Sequence, residues 1–301
     1  MKKTLAMMTA AVMVAGALAG CGSSSSTPAA TTAAATEAAT TAAATEAATT
    51  ETATTEAGDT AAAAEGTVKT PSGKFTVGFD QEFPPMGFVG DDGQFTGFDL
   101  ELAKEVASRL DLEFVPQPIN WDAKDMELDS GNIDCIWNGF TMQGREDDYT
   151  WVGPYMANNQ VFVVTADSDI ASKADLAGKA VEVQKDSSGL AALQGEAELS
   201  ASFGSMTEVA DYNTALMDLE SGACDAVCMD SIVAGYQIKS SGKDMKILDD
   251  TLSAEEYGIG FKKGEDELAK AVHDTLMDMK DDGTVAKISN DWFGSDVFTL
   301  K

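Results

Sequence analysis

Short apolar runs of strand length alternate with amphipathic runs of helix length from residue 74 to residue 137, and this alternation constrains the fold more than any other feature. The helix-length run Phe98 to Leu110 repeats an apolar residue every four positions, with charged residues between. The order strand, helix, strand, helix, strand predicts a parallel sheet with covering helices. The runs are Lys74 to Phe79, Phe98 to Leu110, Leu112 to Val115, Asp122 to Ser130 and Ile133 to Trp137.

The same alternation begins again at residue 161. Each half contains a helix that ends at a glycine, followed by a strand that opens at an aspartate, as in Gly131 to Asp134 and Gly222 to Asp225. We therefore predict an α/β protein of two similar lobes, each with a mainly parallel sheet, and a ligand cleft at the carboxyl ends of the strands. The predicted strands of this half are Val161 to Thr165, Ala180 to Gln184, Asp225 to Met229 and Gly258 to Phe261. The predicted helices are Ser188 to Ala197, Tyr212 to Ser221 after the run Phe203 to Val209, Ile232 to Ser240 and Glu265 to Asp282.

The beginning of the chain has the pattern of a secretory signal. Lys2 and Lys3 precede an apolar run from Leu5 to Leu18, which is too short to span a membrane. The run ends in Leu18-Ala19-Gly20-Cys21, which resembles the lipobox of bacterial lipoproteins, where the cysteine is acylated and becomes the first mature residue. An ordinary secretory signal with an incidental cysteine is the alternative. We predict a lipoprotein signal peptide over residues 1–21, with Cys21 as the lipidation site.

Residues 22–67 consist almost entirely of Ser, Thr, Ala and Glu. The nonapeptide TAAATEAAT occurs twice in succession, at Thr32 to Thr40 and at Thr41 to Thr49. A segment with so little to bury does not offset the entropy of ordering, so we predict a disordered linker. As a flexible coil it would span roughly 35–40 Å between its ends, enough to hold a domain away from a membrane.

The charge balance limits the partners of the chain. It carries 50 acidic and 20 basic residues, a formal net charge of −30. Such a surface argues against a nucleic-acid partner and against direct adsorption on anionic lipid. No other apolar stretch approaches the roughly 18 residues of a spanning helix. We therefore expect the lipid to be the only membrane attachment and place the protein on the extracellular face of the cell membrane.

Three further cysteines, Cys135, Cys224 and Cys228, lie in apolar runs. Cys224 and Cys228 on one extended strand would lie about 13 Å apart, which is too far for a disulfide. The only histidine, His273, lies in a distant predicted helix, so the sequence offers no cluster of metal ligands. We predict three buried thiols, no metal site and no cofactor.

The segment Gly97 to Val106, GFDLELAKEV, resembles the signature of the solute-binding proteins of polar amino acid ABC transporters. Further matching segments follow in the family's order, so the resemblance covers about residues 72 to 295. They are Gly78 to Met86, Gly131 to Asp134, Asn138 to Thr141, Gly153 to Tyr155, Tyr257 to Gly264, Asp282 to Thr284 and Trp292 to Gly294.

The resemblance implies the fold of periplasmic binding proteins, a two-lobed clamp in which the chain crosses twice between the lobes. Lobe 1 would comprise residues 68–160 together with 255–301, and lobe 2 would comprise residues 161–254. The hinge crossings would lie near Asn159 to Thr165 and near Ser253 to Gly260. The lobes would close on the ligand by hinge motion.

The resemblance also implies that the ligand is a free amino acid, whose carboxylate and ammonium each need an opposite charge in the site. Arg145 matches the family's arginine that grips the carboxylate in a bidentate fork, and it is one of only two arginines in the chain. The loop from Gly139 to Arg145 is one residue shorter than is usual in the family, so we expect it to bend differently. The alternative is a surface charge beside Glu146 and Asp147.

Asp230 matches the family's aspartate that pairs with the ligand's ammonium group. Its alternative role is an N-cap for the helix that follows. By the same resemblance, Ser187 and Ser188 would face the ligand's carboxylate from the start of a helix, with simple capping as their alternative. The resemblance implies further polar contacts from Asn138, Gly139 and Thr141.

The same resemblance places Phe83 and Trp121 as aromatic walls around the ligand's side chain, although both could instead be ordinary core residues. Asp80 would lie at the far end, where its carboxylate accepts a hydrogen bond from a polar or cationic side chain. This favours lysine, arginine, histidine or glutamine as the ligand, with cystine and other polar amino acids left open.

The expected protein partner is the membrane permease of an ABC importer, and we expect a monomer that is not an enzyme. The alternatives are a ligand-sensing surface lipoprotein and, less favoured, a dehydratase-type enzyme on the same fold. The chain contains no GxSxG, HExxH or glycine-rich nucleotide motif, and its one histidine lies in a terminal helix, so few residues could act as catalytic acids or bases.

Overall fold

The computed structural model describes residue 70 and residues 72–301, and the predicted signal peptide, Cys21 anchor and linker lie outside these residues. None of the helices in this part of the chain is long and apolar enough to cross a membrane. The strands are β1 (Lys74–Phe79), β2 (Glu82–Phe83), β3 (Gly87–Val89), β4 (Phe95–Thr96), β5 (Glu113–Pro118), β6 (Cys135–Thr141), β7 (Tyr149–Thr165), β8 (Ala180–Gln184), β9 (Ser205–Val209), β10 (Ala226–Asp230) and β11 (Met245–Lys262). The helices are α1 (Phe98–Arg109), α2 (Lys124–Ser130), α3 (Ser188–Gly195), α4 (Ala197–Ser202), α5 (Tyr212–Ser221), α6 (Ser231–Ser241), α7 (Asp266–Asp281) and α8 (Thr284–Phe293), with 3₁₀ turns at Trp121–Ala123 and Lys173–Leu176.

Eight of the strands form one sheet, in the order β5-β1-β6-β11-β7-β10-β8-β9. At one side β1 pairs in parallel with β5 and β6, and at the other β8 pairs in parallel with β9 and β10. We call the first group, with α1, α2, α7 and α8, the first lobe, and the second group, with α3 to α6, the second lobe. The central strands β11 and β7 are antiparallel to each other and to β6 and β10. The α/β class with a mainly parallel sheet in each lobe is confirmed, whereas the predicted residue boundaries of the lobes stay a prediction.

The two central strands carry the chain from one lobe to the other. They are 17 and 18 residues long and pair along nearly their whole length. The prediction of short strands at Val161 to Thr165 and Gly258 to Phe261 was therefore wrong about their extent. The apolar pattern is interrupted by polar residues, of which Asn158, Gln160 and Glu255 are buried and hydrogen-bonded to one another. These hydrogen bonds use the N–H donors of both amides, although Oε1 of Gln160 has no partner within the described chain. The strands therefore continue where the apolar pattern stops.

Helix α1 lies on the first lobe as its amphipathic pattern predicts. Leu102 and Val106 are fully buried in the core of this lobe. Before the helix, Gly97 has a φ of 140°, and a Cβ atom there would lie 2.3 Å from the carbonyl oxygen of Met86. Only glycine allows this close approach, which fixes the turn carrying Phe83 against the start of the helix.

Some short elements were not predicted. β2, β3 and β4 form a separate three-stranded sheet, whose strands of two or three residues are too short for a periodic pattern. Helix α8 was also missed, and its Trp292 and Phe293 pack against the core of the first lobe. The helix predicted at Ser188 to Ala197 is α3, which ends at Gly195 because the backbone at Glu196 leaves helical geometry with φ −96° and ψ 58°. The second helix that follows, α4, was not predicted.

The three cysteines of the described chain are buried and form no disulfide, as predicted. Burial raises the pKa of Cys224 to about 12 and the pKa of Cys228 well above its ordinary value. All three thiols therefore remain protonated at neutral pH and pack as small apolar groups.

Candidate functional site

A small cavity lies between the two lobes, where β6, β8 and β10 reach their carboxyl ends. Its lining side chains nearly fill it, and the space left, about 10 Å³, is roughly that of one water molecule. Gln184, which the sequence analysis did not single out, lines it together with eight predicted site residues. These are Phe83, Trp121, Gly139, Thr141, Arg145, Ser187, Ser188 and Asp230. The structure brings these residues together, and their binding of a ligand stays a prediction.

Arg145 lies on the loop that follows β6. Its guanidinium donates from Nη1 to the carbonyl oxygen of Thr141 at 3.1 Å and from Nη2 to the carbonyl oxygen of Asp186, in the second lobe, at 3.5 Å. The guanidinium carbon also lies 5.1 Å from the centre of the Phe140 ring, a cation–π distance. Among the described residues Arg145 forms no ion pair, so the alternative role beside Glu146 has no contact to support it.

Hydroxyl groups from both lobes meet at the cavity. Thr141 Oγ1, at the end of β6, lies 3.2 Å from Ser188 Oγ at the start of α3. Ser187 caps that helix, since its hydroxyl accepts a hydrogen bond from the backbone N–H of Leu190 at 3.1 Å. The capping role of Ser187 is therefore real, and Ser187 lines the cavity as well.

Asp230 ends β10 and is 3 % exposed. Its carboxylate accepts hydrogen bonds from Asn158 Nδ2 at 2.6 Å, Tyr257 OH at 2.7 Å and Tyr212 OH at 3.0 Å. Its side chain makes no capping hydrogen bond within the described chain, because Asn158 Oδ1 accepts from the N–H of Ile232 instead, at 3.3 Å. Burial, and then the nearby Glu255 carboxylate, raise the pKa of Asp230 to about 7.

Glu255 is a second buried acid near this end of the cavity, and the sequence analysis missed it. It lies on β11, directly opposite Asn158 of β7, and is 5 % exposed. Its Oε1 atom accepts from Asn158 Nδ2 at 2.6 Å, Thr141 Oγ1 at 2.9 Å and Gln160 Nε2 at 3.0 Å, with Ser188 Oγ at 3.4 Å. The polar run Asn158 to Gln160 beside an apolar strand was the signal that could have pointed to this network. Within residues 72–301, no group of three or more acidic, histidine or cysteine side chains is arranged to hold a metal ion.

Gly139 holds the aromatic side of the cavity in place. Its φ of 56° is in the left-handed region, and a Cβ atom would lie 3.0 Å from the Phe83 ring and 3.1 Å from the Tyr257 ring. Its N–H donates to Asp99 Oδ2 at 2.7 Å, and the same oxygen accepts from Tyr155 OH at 2.8 Å. Burial raises the pKa of Asp99 to about 7, although these two hydrogen bonds favour its ionised form.

Phe83 and Trp121 both line the cavity, as predicted for aromatic walls. The ring of Phe83 packs against Tyr212 of the second lobe with 5.8 Å between ring centres. Trp121 meets Phe140 edge to face at 5.5 Å, and the ammonium group of Lys124 lies 5.2 Å from the Trp121 ring. Both residues therefore pack with core neighbours and face the cavity as well.

Asp80 is not among the residues that line the cavity. Its Oδ2 atom accepts from Nε2 of Gln184 at 2.7 Å, so the amide of Gln184 connects this acid to the cavity. Asn138 lies behind Asp80, and its Oδ1 atom accepts the backbone N–H of Asp80 at 3.0 Å. Burial raises the pKa of Asp80 to about 6, with Asp211 and Glu82 adding smaller contributions.

Charged and polar pairs hold the lobes together around the cavity. Lys124, which is 2 % exposed, forms an ion pair with Asp186, and Lys185 pairs with Asp122 at 2.5 Å. In the first pair the lysine lies in the first lobe, and in the second pair the lysine lies in the second lobe. Nδ2 of Asn213 in the second lobe donates to the Glu82 carboxylate in the first.

Comparison with known proteins adds an independent line of information. Residues 75–295 match the family described as bacterial extracellular solute-binding proteins, family 3. The L-cystine-binding protein TcyJ of Escherichia coli K12 is 32 % identical over 231 residues, which are 75 % of this chain and 84 % of that protein.

Solved structures agree on the two-lobed clamp. An ABC uptake transporter substrate-binding protein from Streptococcus pneumoniae, solved with bound histidine, matches with a TM-score of 0.73 and 33 % identity, covering 76 % of this chain and 95 % of that one. The arginine-, lysine-, histidine-binding protein ArtJ from Geobacillus stearothermophilus matches with a TM-score of 0.67 and 28 % identity, covering 74 % and 96 %.

Proposed function

Because the chain belongs to the bacterial extracellular solute-binding proteins of family 3, we propose that it binds a free polar amino acid between its lobes and delivers it to an ABC importer. The observation that carries this proposal is that Arg145 from the first lobe and Asp230 from the second line the same cavity. An amino acid presents one carboxylate and one ammonium, so a site with one group of each opposite charge is complementary to it.

We assign the ligand's carboxylate to Arg145 and to the backbone N–H groups at the start of α3. The planar guanidinium suits a bidentate contact, and a helix N-terminus favours an anion. The ammonium is assigned to Asp230, with Thr141 beside it. The aliphatic stem of the ligand then lies between Phe83 and Trp121, whose rings remove it from water.

The far end of the cavity favours a polar ligand side chain. Gln184 lines the cavity and is hydrogen-bonded to the buried Asp80, so an amide with an acid behind it is available to the ligand. The relatives TcyJ and ArtJ are named for cystine and for arginine, lysine and histidine. These amino acids, with glutamine, are therefore our first candidates.

Delivery would follow from closure of the lobes. The pairs Lys124 with Asp186 and Lys185 with Asp122 exist only when the lobes meet, so they favour the closed clamp that a permease would distinguish from the open one. Acylated Cys21 would keep the protein on the extracellular face of the membrane. In this role the protein captures its ligand and does not transform it.

The test is a thermal-shift screen of the purified protein against the twenty amino acids, cystine and ornithine. A ligand at a hundred times its Kd stabilises the folded protein by about 2.7 kcal/mol, which is a shift of several degrees for a domain of this size. We expect one or a few polar amino acids to raise the melting temperature, and calorimetry to give one site. A flat screen would refute amino acid binding, and a shift with only acidic or aliphatic amino acids would refute the role of Asp80.

Delivery and anchoring need separate measurements. Uptake of the identified amino acid should fall in cells that lack this chain and return when the chain is restored. Metabolic labelling with a fatty acid should mark the protein and should be lost in Cys21→Ser. Normal uptake without the chain would favour a sensing role over transport.

A further inference from the structure

Two buried carboxylates lie side by side at one end of the cavity without a cation. Nδ2 of Asn158 donates to both acids, at 2.6 Å to Asp230 Oδ1 and at 2.6 Å to Glu255 Oε1. No lysine, arginine or histidine of residues 72–301 forms an ion pair with either acid. Two carboxylates this close in a buried place do not both ionise without a large penalty, so the pair favours the binding of one proton or one cation.

Glu255 is tied into the site by several hydrogen bonds. One of its oxygen atoms accepts hydrogen bonds from side chains of three elements: Thr141 on β6, Asn158 and Gln160 on β7, and Ser188 on α3. Asp230 likewise accepts three hydrogen bonds, so hydrogen bonding alone does not place the proton of the pair. Burial, and then the Glu255 carboxylate, raise the pKa of Asp230 to about 7, so we place the proton on Asp230.

The hydroxyl groups that donate to Glu255 can accept hydrogen bonds from a ligand in the cavity. Thr141 and Ser188 each have one hydroxyl proton, and each lies within hydrogen-bond distance of Glu255 Oε1. When that proton points to the carboxylate, the oxygen lone pairs are left for the cavity, which both residues line. Glu255 thereby makes the hydroxyls acceptors, which suits an ammonium group.

The other titratable groups around the pair are neutral or distant from it. Tyr212 on α5 and Tyr257 on β11 donate to Asp230, and Cys228 precedes it on β10. Burial raises the pKa of all three well above their ordinary values, so they remain protonated and uncharged. The cation that lines the same cavity is Arg145, whose hydrogen bonds go to backbone carbonyls.

We propose that Glu255 is a positioning residue for the ligand's ammonium group. Glu255 orients the hydroxyl groups of Thr141 and Ser188, and its charge helps to keep one proton on Asp230 until the ammonium group replaces that proton. This inference rests on the proposed function, since it assumes an amino acid in the cavity. Before binding, the pair holds one proton, on Asp230. On binding, the Asp230 proton passes to solvent and the ammonium pairs with the carboxylate left behind. The acids and the ammonium together then carry the same single negative charge as before.

The test is titration calorimetry of the purified protein with L-arginine and L-cystine, in buffers of different ionisation enthalpy. We expect release of nearly one proton per ligand at about pH 6, falling towards zero above about pH 8. The affinity should rise up to about tenfold between pH 5 and pH 6 and level off above neutrality. Between about pH 5 and pH 7 both probes keep their α-ammonium and α-carboxylate groups charged, so a proton released there would come from the protein.

Glu255→Gln is the decisive variant, because it removes the like charge that adds to burial in raising the pKa of Asp230 and retains the size of the side chain. We expect it to bind more weakly, to release fewer protons at about pH 6 and to shift the pH dependence of the affinity to lower pH, since burial still favours the protonated acid. Glu256→Gln is the matched control, since Glu256 is the exposed neighbour on β11 and contacts Gln143 instead. It should behave as the unaltered protein does.

The outcomes separate this inference from the proposed function. If no amino acid produces heat, the proposed function fails. If an amino acid binds without proton release at about pH 6, the function stands and the inference is wrong. Unchanged release in Glu255→Gln would also overturn it. If circular dichroism shows that Glu255→Gln does not fold, the number of protons released by the unaltered protein decides whether the inference holds.

Discussion

The two ends of the cavity that would bind the charges of an amino acid are built in different ways. At the ammonium end, Asp230 and Glu255 lie on β10 and β11, the two strands that flank β7, and are almost completely buried. At the carboxylate end, Arg145 lies on a loop, is only partly buried, and donates to backbone carbonyls in both lobes. Groups on strands within a closed hydrogen-bond network are held more precisely than groups on loops. We therefore expect the ammonium end to be rigid and selective and the carboxylate end to adjust as the lobes close.

Asp230→Asn should give the largest effect on affinity. The substitution retains the shape of the side chain but removes the charge that pairs with the ammonium in a buried place, which typically costs about 3–5 kcal/mol. We expect calorimetry to show an affinity loss of at least about a hundredfold. A loss below about tenfold would mean that the ammonium binds elsewhere, and the rigid end would then have no special role.

Arg145→Ala should weaken binding by roughly thirtyfold or more, because it leaves the ligand's carboxylate without its charged partner. The matched control is Arg109→Ala, since Arg109 is the other arginine of the chain and bonds Glu105 and Asp282 on the surface. The control should leave the Kd unchanged. If the two variants bind the ligand equally well, Arg145 is not in the binding site. If Arg145→Ala binds the ligand more weakly than Asp230→Asn does, the carboxylate end contributes more to the affinity than the ammonium end.

Gly139→Ala should lower the stability by about 1–3 kcal/mol, the usual range for a strained backbone position, and it should also disturb the ammonium end. A Cβ atom at Gly139 would crowd Phe83 and Tyr257, and the latter donates to Asp230. Gly144, on the loop before Arg145, has a φ of 81° but nothing within 4 Å of its would-be Cβ. Gly144→Ala therefore carries the same kind of backbone strain without the crowding. Chemical denaturation should show the larger loss at Gly139, and equal losses would mean that the two ends tolerate change equally.

The pH dependence of stability tests the protonation of the buried acids. Asp99 and Asp230 have pKa values raised to about 7, so the folded protein binds protons more tightly than the unfolded chain does. Their contribution to stability is complete below the unfolded pKa near 4 and is lost as the pH rises through about 7. The ligand-free protein should therefore have a clearly lower melting temperature at about pH 8 than at about pH 5. Asp99→Asn should flatten this dependence. A melting temperature that rises over the same range would contradict the protonation state assigned to the buried acids.

Much of the architecture was readable from local patterns. The amphipathic repeat from Phe98 to Leu110 predicted α1 to within one residue, and Gly131 and Gly222 end α2 and α5 in left-handed geometry as expected. The short strands β2 to β4 were missed because two or three residues carry no period. The central strands were predicted too short because their polar residues look like loop residues when their partners are unknown.

The sequence by itself determined the alternation of strands and helices and the family, and it predicted Arg145 and Asp230 as site residues, because each of these depends on residues near one another in the chain. Only the tertiary structure decided that Glu255 lies beside Asp230 and bonds Thr141, which is 114 positions away. It also decided that Gln184, not Asp80, reaches the cavity. These contacts depend on the register of β7 against β11 and on how the lobes meet. Pairing between distant strands leaves no local periodicity from which that register could be predicted.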